Sequence, residues 1–212
     1  MKNKNWIGNL NSIYKTLGAS NHTVEDREEN DYYATDPRAA ELLLELETFH
    51  KNIWEPACGE GYLSEVFKKA RHKVLSTDLI YRGYGKGDVD FLNFKGENKW
   101  HGDIITNPPY KFAQDFVEKG ISLIKPNNKL ALFLKIQFLE GKKRKKLFEK
   151  YPPKTVYVSS SRLLCAKNGK FAPIVNGRRI AKQGYVSSSA VAYAWFVWVK
   201  EFKGAPIIRW FN

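Results

Sequence analysis

The chain has 212 residues and a mass of 24.5 kDa, a size at which a single domain is the usual arrangement. Hydrophobic residues make up 43% and charged residues 27% of it, which is typical of a globular protein and excludes wholesale disorder. Lys and Arg number 35 against 22 Asp and Glu, so the formal net charge is +13. A surplus of this size favours a polyanionic partner, although basicity alone does not establish nucleic-acid binding.

Cysteine and histidine usage limits the chemistry further. Two cysteines, Cys58 and Cys165, are too few for a disulfide framework and favour a reducing compartment. The four histidines are scattered and no Cys/His cluster has zinc spacing, so we expect no metal. The most apolar stretch, Ala190 to Val199, is about half the length of a membrane-spanning helix, and the N-terminus has no signal-peptide core. We therefore expect a cytoplasmic protein that has no membrane partner.

The first part of the chain, residues 1–30, is polar and loosely patterned. We expect it to form an arm laid over a main domain of residues 31–212. Leucines and alanines at helical spacing predict a helix from Pro37 to Phe49, with Thr35 or Asp36 as its cap and Pro37 in the first position.

From Lys51 onward, short apolar runs alternate with amphipathic segments. Strands are predicted at Lys51–Trp54, Lys73–Thr77, Asp88–Phe91, Asp103–Thr106, Lys129–Ile136, Thr155–Ser159 and Val191–Val199, with Ile207–Phe211 as an edge addition. Helices are predicted at Leu63–Ala70, Ala113–Ile124 and Lys142–Lys150. Because strands that alternate with helices form covered parallel sheets, we predict an α/β domain. Its sheet is mostly parallel and seven-stranded, with helices on both faces and an antiparallel final strand.

A glycine loop follows the first of these strands, with the sequence EPACGEG at residues 55–61. Ligands of open α/β sheets bind at this edge, and glycines let a ligand approach the backbone. Asp78 ends the next strand, where a carboxylate can accept both hydroxyls of a ribose. Ser64 stands where the dehydrogenase fingerprint has its third glycine, which counts against a pyrophosphate-binding dehydrogenase. A structural turn without a ligand is the alternative interpretation.

A second motif, NPPY at residues 107–110, follows the predicted strand Asp103–Thr106. The two prolines stop the strand and fix the direction of the chain. The Asn107 side chain and the Pro108 carbonyl then become rigid acceptors close to one point, with the Tyr110 ring beside them. Such a corner suits a planar amino group that donates two hydrogen bonds while its lone pair stays exposed.

Together, EPACGEG, Asp78, the DFL triplet at residues 90–92 and NPPY resemble the S-adenosylmethionine-dependent amino-methyltransferases, most closely the N6-adenine DNA methyltransferases. The N-terminal GASNH, followed by DYYATDP at residues 31–37, is similar to small phage and prophage adenine methyltransferases. The resemblance implies a Rossmann-like class I methyltransferase fold, S-adenosylmethionine as cofactor and DNA as substrate. It implies a protein of a bacterial or phage-infected cell that acts at the nucleoid.

Residue roles carried over from this resemblance fall into two groups. The implied catalytic corner comprises Asn107, Pro108, Pro109 and Tyr110. The implied cofactor site draws on four segments of the chain: Tyr33 and Thr35 at the methionine end, Glu55, Pro56, Ala57, Cys58, Gly59 and Gly61 along the loop, Asp78 and Leu79 at the ribose and adenine, and Asp90 and Phe91 at the exocyclic amine. Asp88 competes with Asp90 for the last role.

The long connection from Ser160 to Ser189 is the candidate for target recognition, because long connections in compact domains usually carry function. Predicted nucleic-acid contacts come from this connection and from the basic helix, namely Lys142, Arg144, Arg162, Phe171, Arg178, Arg179 and Tyr185. A run of lysines on a helix is more often a solvated face, and either aromatic residue is as readily a core anchor. So small a recognition segment suits a short DNA site or a homodimer.

The predicted reaction is methylation of adenine N6 on a base flipped out of the duplex. Two enzyme alternatives share the NPPY motif: an RNA adenine-N6 methyltransferase, and a protein-glutamine methyltransferase whose substrate amide has the same geometry. Cytosine-N4 methyltransferases more often have Ser in place of Asn107. A cofactor-binding, DNA-binding module without catalysis is the non-enzyme alternative.

Overall fold

The structure is a computed structural model that describes residues 33–95, 99–167, 169–175, 178–186 and 191–212. The arm predicted at residues 1–30 lies outside the described residues, as do parts of the connection from Ser160 to Ser189. No helix within the described ranges is long and apolar enough to cross a membrane.

Four α-helices lie in the described part of the chain, and their bounds are close to the predicted ones. They are α1 (Pro37–Leu46), α2 (Tyr62–Lys69), α3 (Ala113–Leu123) and α4 (Lys142–Lys150), with short 3-10 helices at Tyr110–Phe112 and Ile136–Leu139. The strands in the same ranges are β1 (Tyr33–Thr35), β2 (Asn52–Glu55), β3 (Lys73–Ser76), β4 (Asp103–Thr106), β5 (Lys129–Lys135), β6 (Thr155–Ser159), β7 (Cys165–Lys167), β8 (Ile174–Val175), β9 (Arg178–Arg179), β10 (Tyr193–Val199) and β11 (Ile207–Phe211).

Seven of these strands form one sheet in the order β3-β2-β4-β5-β10-β6-β11. Neighbours pair in parallel except for β10, which runs antiparallel to both β5 and β6. The predicted fold, a mostly parallel seven-stranded sheet with one late antiparallel strand, is therefore confirmed. The last strand in sequence, however, is β11, which extends the edge in parallel to β6.

The prediction of a strand at Asp88–Phe91 is wrong, because this segment forms a turn and does not pair with the sheet. Asp88 has a left-handed backbone conformation, with φ of 55°. The Asp90 carboxylate then accepts the backbone N–H groups of Leu92, at 2.9 Å, and Asn93, at 3.2 Å. Such side-chain to backbone bonds favour a turn over an extended strand. The sheet reaches seven strands through β11.

Side chains of the central strands alternate between two apolar layers, one on each face of the sheet. In β4, Ile104 belongs to one layer and Ile105 to the other. Buried residues of α3 and α4 complete the first layer, whereas those of α1 and α2 complete the second. This alternation accounts for helices on both faces, as the sequence predicts.

At the amino-terminal edge of the sheet, a buried carboxylate connects the segments that precede β2 and β5 to the start of β4. Asp103, at the start of β4, accepts the backbone N–H of His50 at 2.6 Å and that of Lys129 at 2.7 Å. The Asn128 side chain donates to the same carboxylate at 3.1 Å. Because these bonds tie the segments that lead into neighbouring strands, they fix the strand register and hence the alignment of the opposite, carboxyl edge.

A separate two-stranded ribbon lies at this carboxyl edge. It pairs β1 with β7 in antiparallel fashion, with Thr35 opposite Cys165. The backbone N–H of Asp36 continues the ribbon by donating to the Leu164 carbonyl at 3.0 Å. Since β7 belongs to the long connection after β6, the ribbon brings part of that connection back beside α1. A second small hairpin pairs β8 with β9.

Candidate active site

The carboxyl ends of β2, β3 and β4 border a cavity of about 230 Å³. All the predicted catalytic residues line it, and so do all the predicted cofactor residues except Gly59 and Gly61. The predicted residues that line the cavity are Tyr33, Thr35, Glu55, Pro56, Ala57, Cys58, Asp78, Leu79, Asp90, Phe91, Asn107, Pro108, Pro109 and Tyr110. Five segments that are separate in sequence thus meet at one site.

The glycine loop has a backbone that other residues adopt only with strain. Gly59 has φ of 54° and Gly61 has φ of 85°, both in the left-handed region. A Cβ atom added to Gly61 would lie 2.5 Å from the ring of Tyr84. The two glycines therefore shape the wall of the cavity through their backbone, although their own atoms do not line it.

Asp78 joins the glycine loop to the end of β3. Its Oδ2 accepts the N–H of Gly59 at 2.8 Å, and its Oδ1 accepts the N–H of Ile80 at 3.0 Å. A carboxylate oxygen has two lone pairs, so each oxygen retains acceptor capacity for a diol. The neighbouring Leu79 side chain is 57% exposed beside the cavity, which suits contact with an aromatic ligand.

The turn after β3 distinguishes the two competing aspartates. Both are exposed, but Asp90 lines the cavity and Asp88 does not. Phe91, next to Asp90, is buried and packs edge-on against Trp54 with ring centroids 5.3 Å apart. This packing anchors the turn to the core, so the geometry favours Asp90 over Asp88 as the polar contact.

Glu55, at the end of β2, is a buried carboxyl group beneath the loop, with only 2% of its surface exposed. Burial raises its pKa to about 8; the nearby Asp78 adds to this rise, and hydrogen bonds from Ser64 oppose it. The Ser64 hydroxyl donates to Glu55 Oε2 and lies 2.5 Å from the Ser76 hydroxyl. Ser64, which replaces the third glycine of the dehydrogenase pattern, is thus the partner of this carboxyl group.

The corner formed by NPPY contains an amide whose two ends have different surroundings. Asn107 Nδ2 donates to Thr35 Oγ1 at 2.8 Å and to the Tyr33 carbonyl at 3.2 Å. Asn107 Oδ1 is buried and has no hydrogen-bond partner among the described residues. Leaving a buried acceptor unpaired costs about 1–3 kcal/mol, and such an atom in a native site calls for an explanation. A hydrogen-bond donor on a ligand would satisfy it.

Tyr110 is held between the sheet and the β1–β7 ribbon. Its hydroxyl lies 3.3 Å from Cys165 Sγ, and the ammonium of Lys135 lies 4.8 Å from the centre of its ring. The Tyr193 ring is 6.1 Å away. Burial raises the pKa of Tyr110 well above its ordinary value and that of Cys165 to about 11. Both groups therefore keep their protons at neutral pH.

The predicted nucleic-acid contacts whose side chains the structure describes lie outside the lining of the cavity; they are Lys142, Arg144, Arg162, Phe171 and Tyr185. Lys142 and Arg162 are exposed. The Arg144 guanidinium donates to the carbonyls of Gln137, at 3.2 Å, and Glu140, at 2.7 Å, so it is bound to the preceding turn.

The aromatic residues of the long connection lie in different surroundings. Phe171 packs edge-on against Tyr62, a residue that lines the cavity, with ring centroids 5.6 Å apart. Tyr185 is 41% exposed, with the Lys182 ammonium 4.6 Å from its ring centre. Arg178 and Arg179 form β9, of which the structure describes the backbone only. Contact of any of these residues with nucleic acid stays a prediction.

Several residues of the site were not predicted from the sequence. Tyr62, Arg82, Lys111 and Phe112 line the cavity. Lys111 and Phe112 directly continue the NPPY motif in a 3-10 turn, so extending that motif would have found them. Cys165 touches Asn107 Nδ2 at 3.8 Å across 58 positions of sequence, and no local pattern indicates this contact. No group of three His, Cys, Asp or Glu side chains within the described ranges is arranged to hold a metal ion.

The sequence matches no family model and no curated relative, but solved structures match its fold. A structure described as the modification subunit of a type I restriction enzyme from Vibrio vulnificus has a TM-score of 0.55 at 14% identity, covering 94% of this chain and 50% of that one. The type I restriction-modification methyltransferase subunit from Streptococcus thermophilus gives 0.55 at 13% identity, over 86% of this chain and 48% of that one.

A third similar structure is described as a class I S-adenosylmethionine-dependent methyltransferase from Listeria monocytogenes. Its TM-score is 0.52 at 14% identity, with 92% of this chain and 69% of that chain covered. At such low identity the likeness establishes the fold alone, and the predicted Rossmann-like class I methyltransferase fold is confirmed. The chain spans about half the length of the two restriction-modification subunits.

Replacement of Gly61 by alanine tests the packing of the glycine loop. Gly61→Ala should lower the free energy of unfolding through backbone strain of about 1–2 kcal/mol plus the clash with Tyr84. Gly184→Ala is the matched control, because Gly184 has φ of 78° but no atom within 4 Å of an added Cβ. Urea unfolding should show the larger loss for Gly61→Ala. Equal losses would contradict the contact with Tyr84.

The raised pKa of Glu55 predicts a pH-dependent stability of the ligand-free protein. The unfolded chain ionises this group near its ordinary value of 4.5, whereas the folded chain does so near 8. Between these values Glu55 should lower the free energy of unfolding by about 1.4 kcal/mol per pH unit as the pH rises. Urea unfolding at several pH values should show that Glu55→Gln removes this contribution. The exposed substitution Glu118→Gln should retain it, and a wild-type slope in Glu55→Gln would refute the assignment.

Proposed function

We propose that this chain is an S-adenosylmethionine-dependent methyltransferase that methylates the exocyclic N6 amine of adenine in DNA. The observation that carries the proposal is the buried, unpartnered Oδ1 of Asn107, a residue that lines the cavity together with Pro108 and Tyr110. An exocyclic amine donates two hydrogen bonds, and this corner presents acceptors to such a group.

The residues around the cavity fit S-adenosylmethionine. Asp78 has acceptor capacity for the ribose hydroxyls, and Leu79 offers an apolar surface to the adenine ring. Asp90 is the acceptor for the exocyclic amine of the cofactor, with Phe91 beside it. The loop from Glu55 to Gly61, together with Tyr33, holds the methionine portion. When bound, S-adenosylmethionine supplies an electrophilic methyl group on a sulfonium.

The corner activates the acceptor amine by removing its lone pair from conjugation. Adenine N6 is a poor nucleophile because its lone pair is delocalised into the ring. Asn107 Oδ1 and the Pro108 carbonyl accept the two N–H bonds, which localises the lone pair toward the methyl donor. Fixed dipoles in a site that excludes water act without reorganisation cost, and positioning supplies much of the rest. The amine becomes acidic only after methylation, so no general base is needed before the attack.

Tyr110 supports a base rotated out of the duplex. Its ring lies beside Asn107 in the same corner and is fixed through its hydroxyl at Cys165. Stacking of a flipped base on such a ring offsets part of the energy lost on unstacking.

The choice of DNA as substrate rests on two further observations. The formal net charge of +13 favours binding to a polyanion. Two of the similar structures are described as subunits of type I restriction-modification systems. We further propose that residues 160–189 are the target-recognition segment, since β7 returns from them to the catalytic corner. Lys142 and Arg162 are exposed candidates for phosphate contacts.

The reaction is tested by incubating the purified protein with S-adenosylmethionine and unmethylated plasmid DNA. Digestion to nucleosides and mass spectrometry should detect N6-methyladenine. Asn107→Ala should lower the rate by about 10²- to 10³-fold, as the loss of one fixed hydrogen-bond partner does in other enzymes. Its affinity for the cofactor, measured by calorimetry, should be retained.

A wild-type protein that binds the cofactor yet methylates no base in DNA would contradict the proposal. The same assay would then be run on RNA and on glutamine-containing peptides, whose amines also fit an NPPY corner. Methylcytosine in place of methyladenine would keep DNA as the substrate but overturn the choice of base.

A further inference from the structure

The orientation of the Asn107 amide decides whether its side chain accepts a hydrogen bond from the methyl-accepting amine or presents hydrogen-bond donors to it. With the oxygen toward the acceptor amine, the side chain accepts an N–H bond. With the amide turned over, it presents its own N–H groups to those of the substrate, and both sides become donors. A free amide has no intrinsic preference between these orientations, so the protein must impose one.

The β1–β7 ribbon supplies that preference. The Tyr33 carbonyl, 3.2 Å from Nδ2, can only accept, so the nitrogen must face β1. Thr35 Oγ1, at 2.8 Å, accepts the second N–H of the same nitrogen. Each amide hydrogen therefore has its own acceptor on the ribbon, which leaves the oxygen on the opposite side.

Thr35 Oγ1 can serve as an acceptor because a hydroxyl oxygen has two lone pairs. Cys165 stands opposite Thr35 in the ribbon, and its sulfur lies 3.8 Å from Asn107 Nδ2. The same sulfur lies 3.3 Å from the Tyr110 hydroxyl. Thr35 is only 3% exposed, so water does not replace it as a partner.

We propose that Thr35 is a positioning residue that orients the Asn107 amide with Oδ1 toward the methyl-accepting amine. The inference rests on the proposed function, and it gives Thr35 a role distinct from that of holding the methionine portion of the cofactor. Thr35 contacts Asn107, and Cys165, which stands opposite Thr35, contacts Tyr110, so the two strands of the ribbon together hold both side chains of the corner.

Substitutions that remove one chemical group of Thr35 at a time test this role. Thr35→Val keeps the shape of the side chain but removes the acceptor, whereas Thr35→Ser keeps the hydroxyl and removes only a methyl group. Thr35→Val should lower kcat for DNA methylation about 10- to 100-fold, as expected for a misplaced reacting group. The KM for DNA and the Kd for the cofactor should stay unchanged. Thr35→Ser should restore kcat, and Thr35→Ala should repeat the loss without adding bulk.

A spectroscopic readout does not depend on activity. In ¹H–¹⁵N spectra, the two side-chain amide protons of Asn107, identified by their absence in Asn107→Asp, should be protected from solvent exchange in the wild type and in Thr35→Ser. One of them should lose protection in Thr35→Val and in Thr35→Ala. This result would support the role of Thr35 even if the wild type methylated no DNA, an outcome that would overturn the proposed function alone.

Two results would overturn the role of Thr35. The first is that Thr35→Val and Thr35→Ser match the wild type in kcat and in amide protection. The second is that Thr35→Val raises the Kd for the cofactor while kcat at saturation and amide protection stay unchanged, since a direct cofactor contact predicts that pattern.

Discussion

The site depends on one asymmetric amide at the end of a buried strand. Asn107 donates both hydrogens of its nitrogen to the backbone and hydroxyl of β1, and its oxygen remains buried without a partner. The fold positions this amide through the prolines that stop β4 and through the ribbon that covers it. A protein gains no stability from an unpaired buried acceptor, so the arrangement is explained by a ligand that donates.

The two edges of the sheet differ in how their polar side chains are used. At the amino-terminal edge, the carboxylate of Asp103 accepts hydrogen bonds from three residues that belong to the fold itself. At the carboxyl edge, Asp78 and Asn107 retain acceptor capacity. Parallel strands place all their carboxyl ends at one edge, so residues from the ends of β2, β3 and β4 reach a common cavity without long loops. The long connection after β6 contributes Cys165, which contacts Asn107 and Tyr110.

Local sequence patterns predicted most of the fold and the cavity. In two places a strand is followed by a turn that Pro or Gly imposes: β4 leads into NPPY, and β2 leads into the glycine loop. The geometry there follows from residues close together in sequence. The strand at Asp88–Phe91 was predicted wrongly because its short pattern competes with the Asp90 carboxylate, which stabilises a turn. The pairing of Thr35 with Cys165 was not predicted, since three-residue strands have no detectable period and their partners lie far apart in sequence.

The most direct test of this account is a crystal structure of the protein with an unreactive analogue of S-adenosylmethionine and a DNA duplex that contains a methylation site mapped on plasmid DNA. The account predicts an adenine outside the helix, with its N6 about 2.7–3.2 Å from Asn107 Oδ1 and the second N–H directed at the Pro108 carbonyl. A target base that stays stacked in the duplex, or an N6 atom beyond hydrogen-bonding distance of Asn107 Oδ1, would contradict it.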